Sequence, residues 1–546
     1  MNLPQRFLND LKQAEDVYEI IALCYSLLLC YKADSDMQFI ARAGQLSVDK
    51  EFSECAECFE ELRQHIICSS LKIDMNFEED GTGFEHFQNI FIDKLIAFPQ
   101  PENMDGDTCI SFSMFYTIEA LDAYVSRNLD SICMNFASFG PMNKGISRDN
   151  SLVYLQERWS FLSGAYSDDT EGFRKPLRYT RIGSVFHSIL LMQRESFHAA
   201  IPEIVPIFLP DGYKLDFKHE NNIRIASIPY IGYPTIRFHE ANSEKACEID
   251  QIPNGPFYVE YMDDDEGVCR VIALLELAIM SEANIVLFPE FIMSEAMLNA
   301  VKNYLQMLKN EKKKQLLLVL AGTNYQIYDR NKGNNVLHIL NSAGYELGCY
   351  YKYSPFLQQS EEYFHGTDLS SKKGRSQTAV QDDIQKRKFL KNCEILSDPG
   401  KECTLIDVEV IGRILPAICR DVVDGIYTEN LATLFMPSLL LVPAWSPSVA
   451  SFDSRFSILA DTLHTTSLLC NCCNAVKGQE GRVIGKLMYP SKQDSHMQSI
   501  PLEIMRSPDC ARSCKDKGGC MRLIDIDFSN WQPSATQKTF FSNGIA

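Results

Sequence analysis

The stretch "ANIVLFPEF", residues 283–291, decides how the rest of the chain reads. Asn284 to Phe288 form a short, largely apolar strand, Pro289 ends it, and Glu290 follows directly, with Phe291 behind it. The segment before it, "GVCRVIALLELAIMSEA" (267–283), has apolar residues at helical spacing. The segment after it, "SEAMLNAVKNYLQMLKNEKKK" (294–314), reads as a second helix, and "QLLLVLAGT" (315–323) as a second strand. Strands that alternate with helices make α/β folds, whose sites lie where strands end and loops begin. A lone carboxylate at such a strand end is a candidate reactive group.

The same alternation extends outward. "NIRIASIP" (222–229), "NVLHILN" (335–341), "LGCYYKY" (347–353), "CTLIDVEV" (403–410), "RILPAIC" (413–419), "SLLLVPAW" (438–445), "LLCNCCNAV" (468–476) and "MRLIDIDF" (521–528) read as strands. "RFSILADTLHTTS" (455–467) reads as a helix. The polar and charged run 368–402 interrupts this order and reads as an insertion, a lid or contact loop.

Before about residue 220 the character differs. Helical periodicity runs through 4–31 as one long pattern, 47–71 behind a Ser47 cap, 83–98, 109–129, "SLVYLQERWSFLSG" (151–164) and "GSVFHSILLMQRESFHAAI" (183–201). Residues 1–220 are therefore expected to form a mainly α-helical domain of unknown role, without a repeat period and without chemistry of its own.

Composition bounds the function. The chain has 546 residues, 45% apolar and 23% charged, which fits a globular protein with a large core. A net charge of -20 argues against a nucleic-acid-tracking surface. Asp10, Glu15, Asp16 and Glu19 do not suit a secretory n-region, and the apolar run 20–31 is about half of what a bilayer needs. The expectation is a cytoplasmic protein, no membrane association, and mostly reduced thiols among its 19 cysteines.

Two other strand ends resemble that of Glu290. Lys352 closes "LGCYYKY", and Cys419 closes "RILPAIC", followed by Arg420 and Asp421. A thiol is mostly protonated at neutral pH and needs a base; a carboxylate can serve. A fixed ammonium can hold the oxygen that turns negative when a thiolate attacks a carbonyl. Together they make an acyl-transfer centre without histidine.

These strand ends, "IVLFPE", "NSAGYELGCYYK" and "RILPAICRD", resemble the nitrilase superfamily of carbon–nitrogen hydrolases, in that family's order. "NIRIASIP", "LLLVPAW", "CNCCNAVKG" and "MRLIDIDF" resemble further strands of it, so the likeness spans about 221–532 of the 221–546 domain. The resemblance implies an αββα four-layer sandwich, no metal and no organic cofactor. It implies hydrolysis of a non-peptide amide or nitrile through a thioester, an amidase better than a nitrilase because Asp421 follows Cys-x. Carried over, Glu290 is the base, Lys352 the oxyanion holder and Cys419 the nucleophile, with the Arg420 N–H as second donor. "SEEYFHG" offers Glu361 or Glu362 as a second glutamate, with Glu361 preferred. Arg420, Trp445 and Phe291 would line the substrate pocket, Arg420 favouring an acidic substrate. The family pairs subunits, so a homo-oligomer is expected, and the helical region could take a protein partner.

The chain also departs from the family. Arg420 stands where an aromatic is usual, and "LADTLHTTS" keeps little of the family's helix. A second reading is therefore a catalytically silent scaffold or ligand sensor that oligomerises, as in some bacterial defence systems. Other motifs read blandly. "YMDDD" (261–265) resembles a polymerase metal hairpin but leads into a helix, as a solvated acidic loop does. "CAEC" (55–58) with His65 and Cys68 lies along one helical pattern, with its ends about 20 Å apart, too far for one ion. Cys510, Cys514 and Cys520 are spaced for zinc, but supply only three local ligands and read as free thiols; His365 reads as a loop residue.

Overall fold

The computed structural model describes residues 3–14, 17–32, 38–39, 58–67, 82–101, 104–139, 151–155, 189–193, 203–209, 222–230, 236–240, 256–261, 265–308, 316–329, 332–356, 394–408, 412–424, 426–435, 437–463, 465–475, 483–493, 496–505, 519–527 and 534–541. The chain divides into two compact units, one of Met1–Ala200, Phe208–Pro210 and Asp407–Glu409, the other of Ile201–Ile207, Asp211–Ile406 and Val410–Ala546. Among the described residues no helix is long and apolar enough to cross a membrane.

The first unit contains α1 (Gln5–Lys12), α2 (Val17–Tyr31), helical residues 58–67, α3 (Thr82–Ala97) and α4 (Gly106–Phe139). The periodic pattern over 4–31 is two helices, not one. Helix α1 stops at Lys12, and the Gln88 side chain of α3 donates to the carbonyls of Leu11 (2.5 Å) and Ala14 (3.0 Å) at the break. Carbonyls at a helix end lack intrahelical partners, and a buried glutamine supplies them here. Two segments read as helical contain strands instead. β1 (Ser151–Leu155) and β2 (Ile189–Gln193) pair antiparallel, Ser151 opposite Gln193. A short apolar run fits either state locally, and cross-strand pairing decided it.

The second unit opens with residues 203–207 of β3 (Glu203–Leu209), then β4 (Asn222–Tyr230), β5 (Ile236–Glu240) and β6 (Phe257–Tyr261). Next come α5 (Asp265–Met280), β7 (Ile285–Leu287), α6 (Glu295–Met307), β8 (Leu318–Asp329), β9 (Lys332–Asn341) and β10 (Glu346–Tyr351). After β11 (Glu402–Val408) and β12 (Gly412–Pro416) follow α7 (Arg420–Asp424), α8 (Ile426–Phe435), β13 (Leu439–Ala444) and α9 (Asp453–Leu463). β14 (Thr466–Asn471), β15 (Val483–Gln493), β16 (His496–Met505), β17 (Cys520–Asp527) and β18 (Ser534–Phe541) complete it.

All of these strands except β5 and β6 join one mixed sheet, in the order β16-β15-β14-β13-β12-β11-β10-β9-β8-β7-β4-β17-β18, with β3 on β11. β4, β7 and β8 run parallel, as do β12, β13 and β14. Strands β7, β13 and β14 are buried along their whole length, as parallel strands covered on both faces must be. One cover is helical: Val271, Leu274, Leu275 and Ala278 of α5 and Leu298, Val301 and Leu305 of α6 share a core with Ala226, Val286 and Val319. Ser294 caps α6, accepting from the Met297 N–H at 3.2 Å.

Only the end of the polar run 368–402 falls among the described residues. Residues 357–393 lie outside the described residues, but 394–402 belong to the body of the unit. Glu394 N–H bonds Phe356 O at 3.0 Å, Ile395 N–H bonds Phe257 O at 3.0 Å, and Ser397 N–H bonds Gly333 O at 2.9 Å.

Candidate active site

Glu290 is held by a bend clipped onto β8. Phe288 N–H still reaches Leu320 O (3.1 Å), and then Phe291 takes a left-handed φ of 58° with its N–H on Thr323 Oγ1 at 2.9 Å. The close approach needs Gly322, since a Cβ there would lie 2.7 Å from Pro289 O. Lys352 follows β10 and is anchored by its N–H on Asn335 O, 3.0 Å. Cys419 follows β12 with a φ of 42° and its N–H on Pro443 O at 3.0 Å, and α7 starts directly after it. A positive φ is costly for a residue with a side chain, and such strain persists where surroundings impose it.

These strand ends meet. Lys352 Nζ donates to Glu290 Oε1 at 2.6 Å, and the Cys419 thiol bonds the same carboxyl. The Trp445 N–H, at the end of β13, donates to Glu290 Oε2 at 2.8 Å. A second carboxylate completes the group: Glu394 Oε2 accepts from Lys352 Nζ at 2.5 Å and from Phe356 N–H at 2.8 Å. Asn335 Nδ2 bridges both acids, 2.9 Å from Glu290 Oε1 and 2.8 Å from Glu394 Oε1. All of this is dry, with Glu290 0%, Lys352 1%, Glu394 2% and Cys419 3% exposed.

Burial sets the electrostatics. Loss of water pushes the Glu290 carboxyl above its ordinary range; Lys352 opposes the shift and Glu394 adds to it. Burial alone would lower Lys352, but the negative charges around it, Glu290 first and then Glu394, move it upward overall, so the ammonium stays charged at neutral pH. Burial and the Glu290 charge push the Cys419 thiol well up, against the pull of Lys352. The resting sulfur is therefore a thiol with a carboxyl beside it, not a free thiolate.

An aromatic cluster roofs the group. Trp445 packs edge-on against Phe238 (5.3 Å between ring centres) and Phe356 (6.2 Å), and the Phe291 ring lies 5.5 Å from Lys352 Nζ. Glu394 also lines a surface cavity of about 350 Å³, together with Pro256, Tyr353, Pro355, Ile395, Leu396 and Pro399. Below the group, Asp421 accepts from Ser354 N–H (2.6 Å), Tyr350 Oη (2.9 Å) and Tyr353 N–H (3.1 Å), and so fixes the chain on both sides of Lys352. Burial lifts its carboxyl to about 7 against those hydrogen bonds.

Of the residues singled out in the sequence, Glu290, Lys352, Cys419, Trp445 and Phe291 are brought together. Arg420 turns its guanidinium to Asp424 instead, Nε to Oδ2 at 3.0 Å, an i,i+4 pair on α7. Glu361, Glu362 and His365 lie outside the described residues, as do Cys510 and Cys514. Glu394 and Asn335 were missed. Glu394 sits in a polar run without periodicity; its one local signal is the apolar pair Ile395-Leu396 after it. Tyr261 of "YMDDD" is partly buried, with its hydroxyl donating to Thr323 O (3.0 Å) and accepting from Tyr325 N–H (2.9 Å), while residues 262–264 lie outside the described residues.

No protein-family model matches the chain, and no curated protein matches it. Solved structures similar to it include Saccharomyces cerevisiae Nit3, a member of branch 10 of the nitrilase superfamily, at 14% identity and a TM-score of 0.28, covering 54% of this chain and 93% of that one. An amidase from Nesterenkonia sp. matches at 12% identity and a TM-score of 0.28, covering 52% of this chain and 91% of that one. The C. elegans NitFhit protein matches at 13% identity and a TM-score of 0.26, covering 52% of this chain and 61% of that one.

Proposed function

We propose that residues 221–546 form a nitrilase-like carbon–nitrogen hydrolase domain that cleaves a small amide or nitrile through a Cys419 thioester. The observation that carries this reading is the convergence on one buried carboxyl, Glu290, of the Cys419 thiol and the Lys352 ammonium.

For an amide, the Cys419 sulfur attacks the carbonyl carbon while its proton passes to Glu290. The oxygen becomes negative beside Lys352 Nζ and the Arg420 N–H, in a buried site where the charge is weakly screened. The C–N bond then breaks, and the leaving amine takes the proton back from Glu290. Water attacks the thioester with Glu290 again as base, the acid product leaves, and the thiol is restored. Glu394 and Asn335 keep Lys352 charged and Glu290 aimed. Trp445 and Phe291 wall the substrate. The four-layer sandwich, a homo-oligomer and partner docking through residues 1–220 belong to the same proposal.

The test is ammonia release from a panel of small amides and nitriles by the full chain. Release that falls by a factor of about 10⁴ or more in Cys419→Ala, with iodoacetamide labelling concentrated on Cys419 and suppressed in Glu290→Gln, is expected. No release from any compound, with labelling spread evenly over the cysteines, favours the silent scaffold or sensor.

A further inference from the structure

On the hairpin of β9 and β10 a second cluster forms, apart from Glu290 and its partners. Cys349 and His338 are direct cross-strand neighbours, so their side chains share a face. Glu346 is three residues from Cys349, and in a regular strand it would point to the other face. The register shifts between Glu346 and Gly348, and this irregularity turns the carboxylate back to the same side. Three donor atoms of different kinds then converge. Glu346 Oε1 is 3.0 Å from Cys349 Sγ and 3.3 Å from His338 Nδ1, and the sulfur and nitrogen are 3.7 Å apart.

We propose that His338, Glu346 and Cys349 bind a divalent metal ion of the zinc class. Thiolate, imidazole and carboxylate are the donors such an ion takes, whereas magnesium and calcium prefer oxygen alone. A tetrahedral zinc with bonds of about 2.0–2.3 Å keeps its ligand atoms about 3.3–3.7 Å apart. The nitrogen–oxygen and nitrogen–sulfur edges already have that length, and the sulfur–oxygen edge must open by about half an ångström. Binding releases the thiol proton to solvent, and the fourth position is left for water or a further ligand.

The surroundings suit this role. Lys302 Nζ on α6 holds the other oxygen, Glu346 Oε2, at 2.5 Å and leaves Oε1 directed at the cluster. The Cys349 N–H donates to Glu402 Oε1 (3.1 Å), which ties the strand to β11. His338 is buried with no partner on Nε2, so its polar contacts are all on the Nδ1 side. Cys349 is half-buried and Glu346 exposed, which gives an ion a path from solvent. The bound ion would pin the hairpin that carries Asn335 and Lys352. The inference needs no catalysis and stands or falls apart from the proposed hydrolase.

The experiment is a cobalt titration of the full chain after treatment with chelator, followed by displacement with zinc. Thiolate-to-cobalt charge-transfer absorption is expected, and Cys349→Ser should lose one equivalent of bound cobalt relative to the unsubstituted chain. His338→Gln, a second variant that keeps the thiol, should weaken the same equivalent by more than about tenfold, the least that even an outer-shell partner of a metal costs. Unchanged stoichiometry and affinity in both variants would leave the cluster a plain network around the Lys302–Glu346 ion pair and overturn the proposal.

Discussion

The interiors of the two units differ in what they hide from water. The first is built from rings and aliphatic chains: Phe39 stacks on Phe112 at 4.8 Å, Phe59 on Tyr116 at 5.3 Å, and Asp122 is the one buried carboxylate among its described residues. The second buries Glu290, Glu394 and Asp421, together with Lys352, Arg413, Lys486 and Arg522. Removing charges from water is expensive, and a hydrophobic filling is often as stable or more so. A fold that keeps two acids around one lysine at the ends of its strands has retained a chemical arrangement, not an economical core. The contrast teaches where to look for function: the region whose packing is least explained by stability.

The largest effect that tests the contrast is on stability. Lys352→Met leaves two adjacent buried carboxylates without their cation, and should cost about 3–5 kcal/mol. Ile118→Val in the first unit should cost about 0.5–1.5 kcal/mol. Urea denaturation of both variants reads the difference; a smaller loss for Lys352→Met than for Ile118→Val would break the comparison.

A smaller effect concerns pH. Glu290 must be ionised to accept the thiol proton, and its carboxyl is raised, so hydrolysis should fall as pH drops through a range above that of an ordinary glutamate. Glu394 adds to that rise, so Glu394→Gln should move the acid limb of the kcat/KM profile downward. A limb that moves upward, or stays put, would show that the two acids do not sense one another.

The smallest effect is at the edge of the site. Arg420 and Asp424 form a partly exposed pair on α7, and Arg420→Ala should change stability by about 0.5 kcal/mol or less. Because the guanidinium faces Asp424, the variant should also keep the ranking of acidic against neutral amides in a kcat/KM comparison. A reversal of that ranking would return Arg420 to the substrate pocket, where its sequence position first suggested it.

How far the sequence could be read depended on the kind of signal. The alternation of β4, α5, β7, α6 and β8 was legible because each segment carries its own period and its own ends: Pro289 stops one strand, and Ser294 opens the next helix. The pair β1–β2 was not, because five-residue apolar runs suit a helix or a strand equally until a partner is chosen. The cluster shows the same division. Glu290, Lys352 and Cys419 each close a strand and could be singled out one at a time, whereas Glu394 and Asn335 acquire meaning only from Lys352 and from each other.

The amino-acid order by itself determined strands β4, β7 to β14 and β17, helices α5, α6 and α9, and the chemical nature of three residues at strand ends, whereas β3, β5, β6, β15, β16, β18, α7 and α8 did not stand out in it. Periodicity and chain-breaking residues act within a few positions, so both can be read locally. Only the tertiary structure decided that Glu394 joins them, that Arg420 turns away, and that an irregular strand aims Glu346 at His338 and Cys349. The first depends on hydrogen bonds and an ion pair between residues distant in the chain, the second on where α7 begins and sets Arg420 opposite Asp424, and the third on a shift of strand register; no local pattern encodes which partner a buried charge will find.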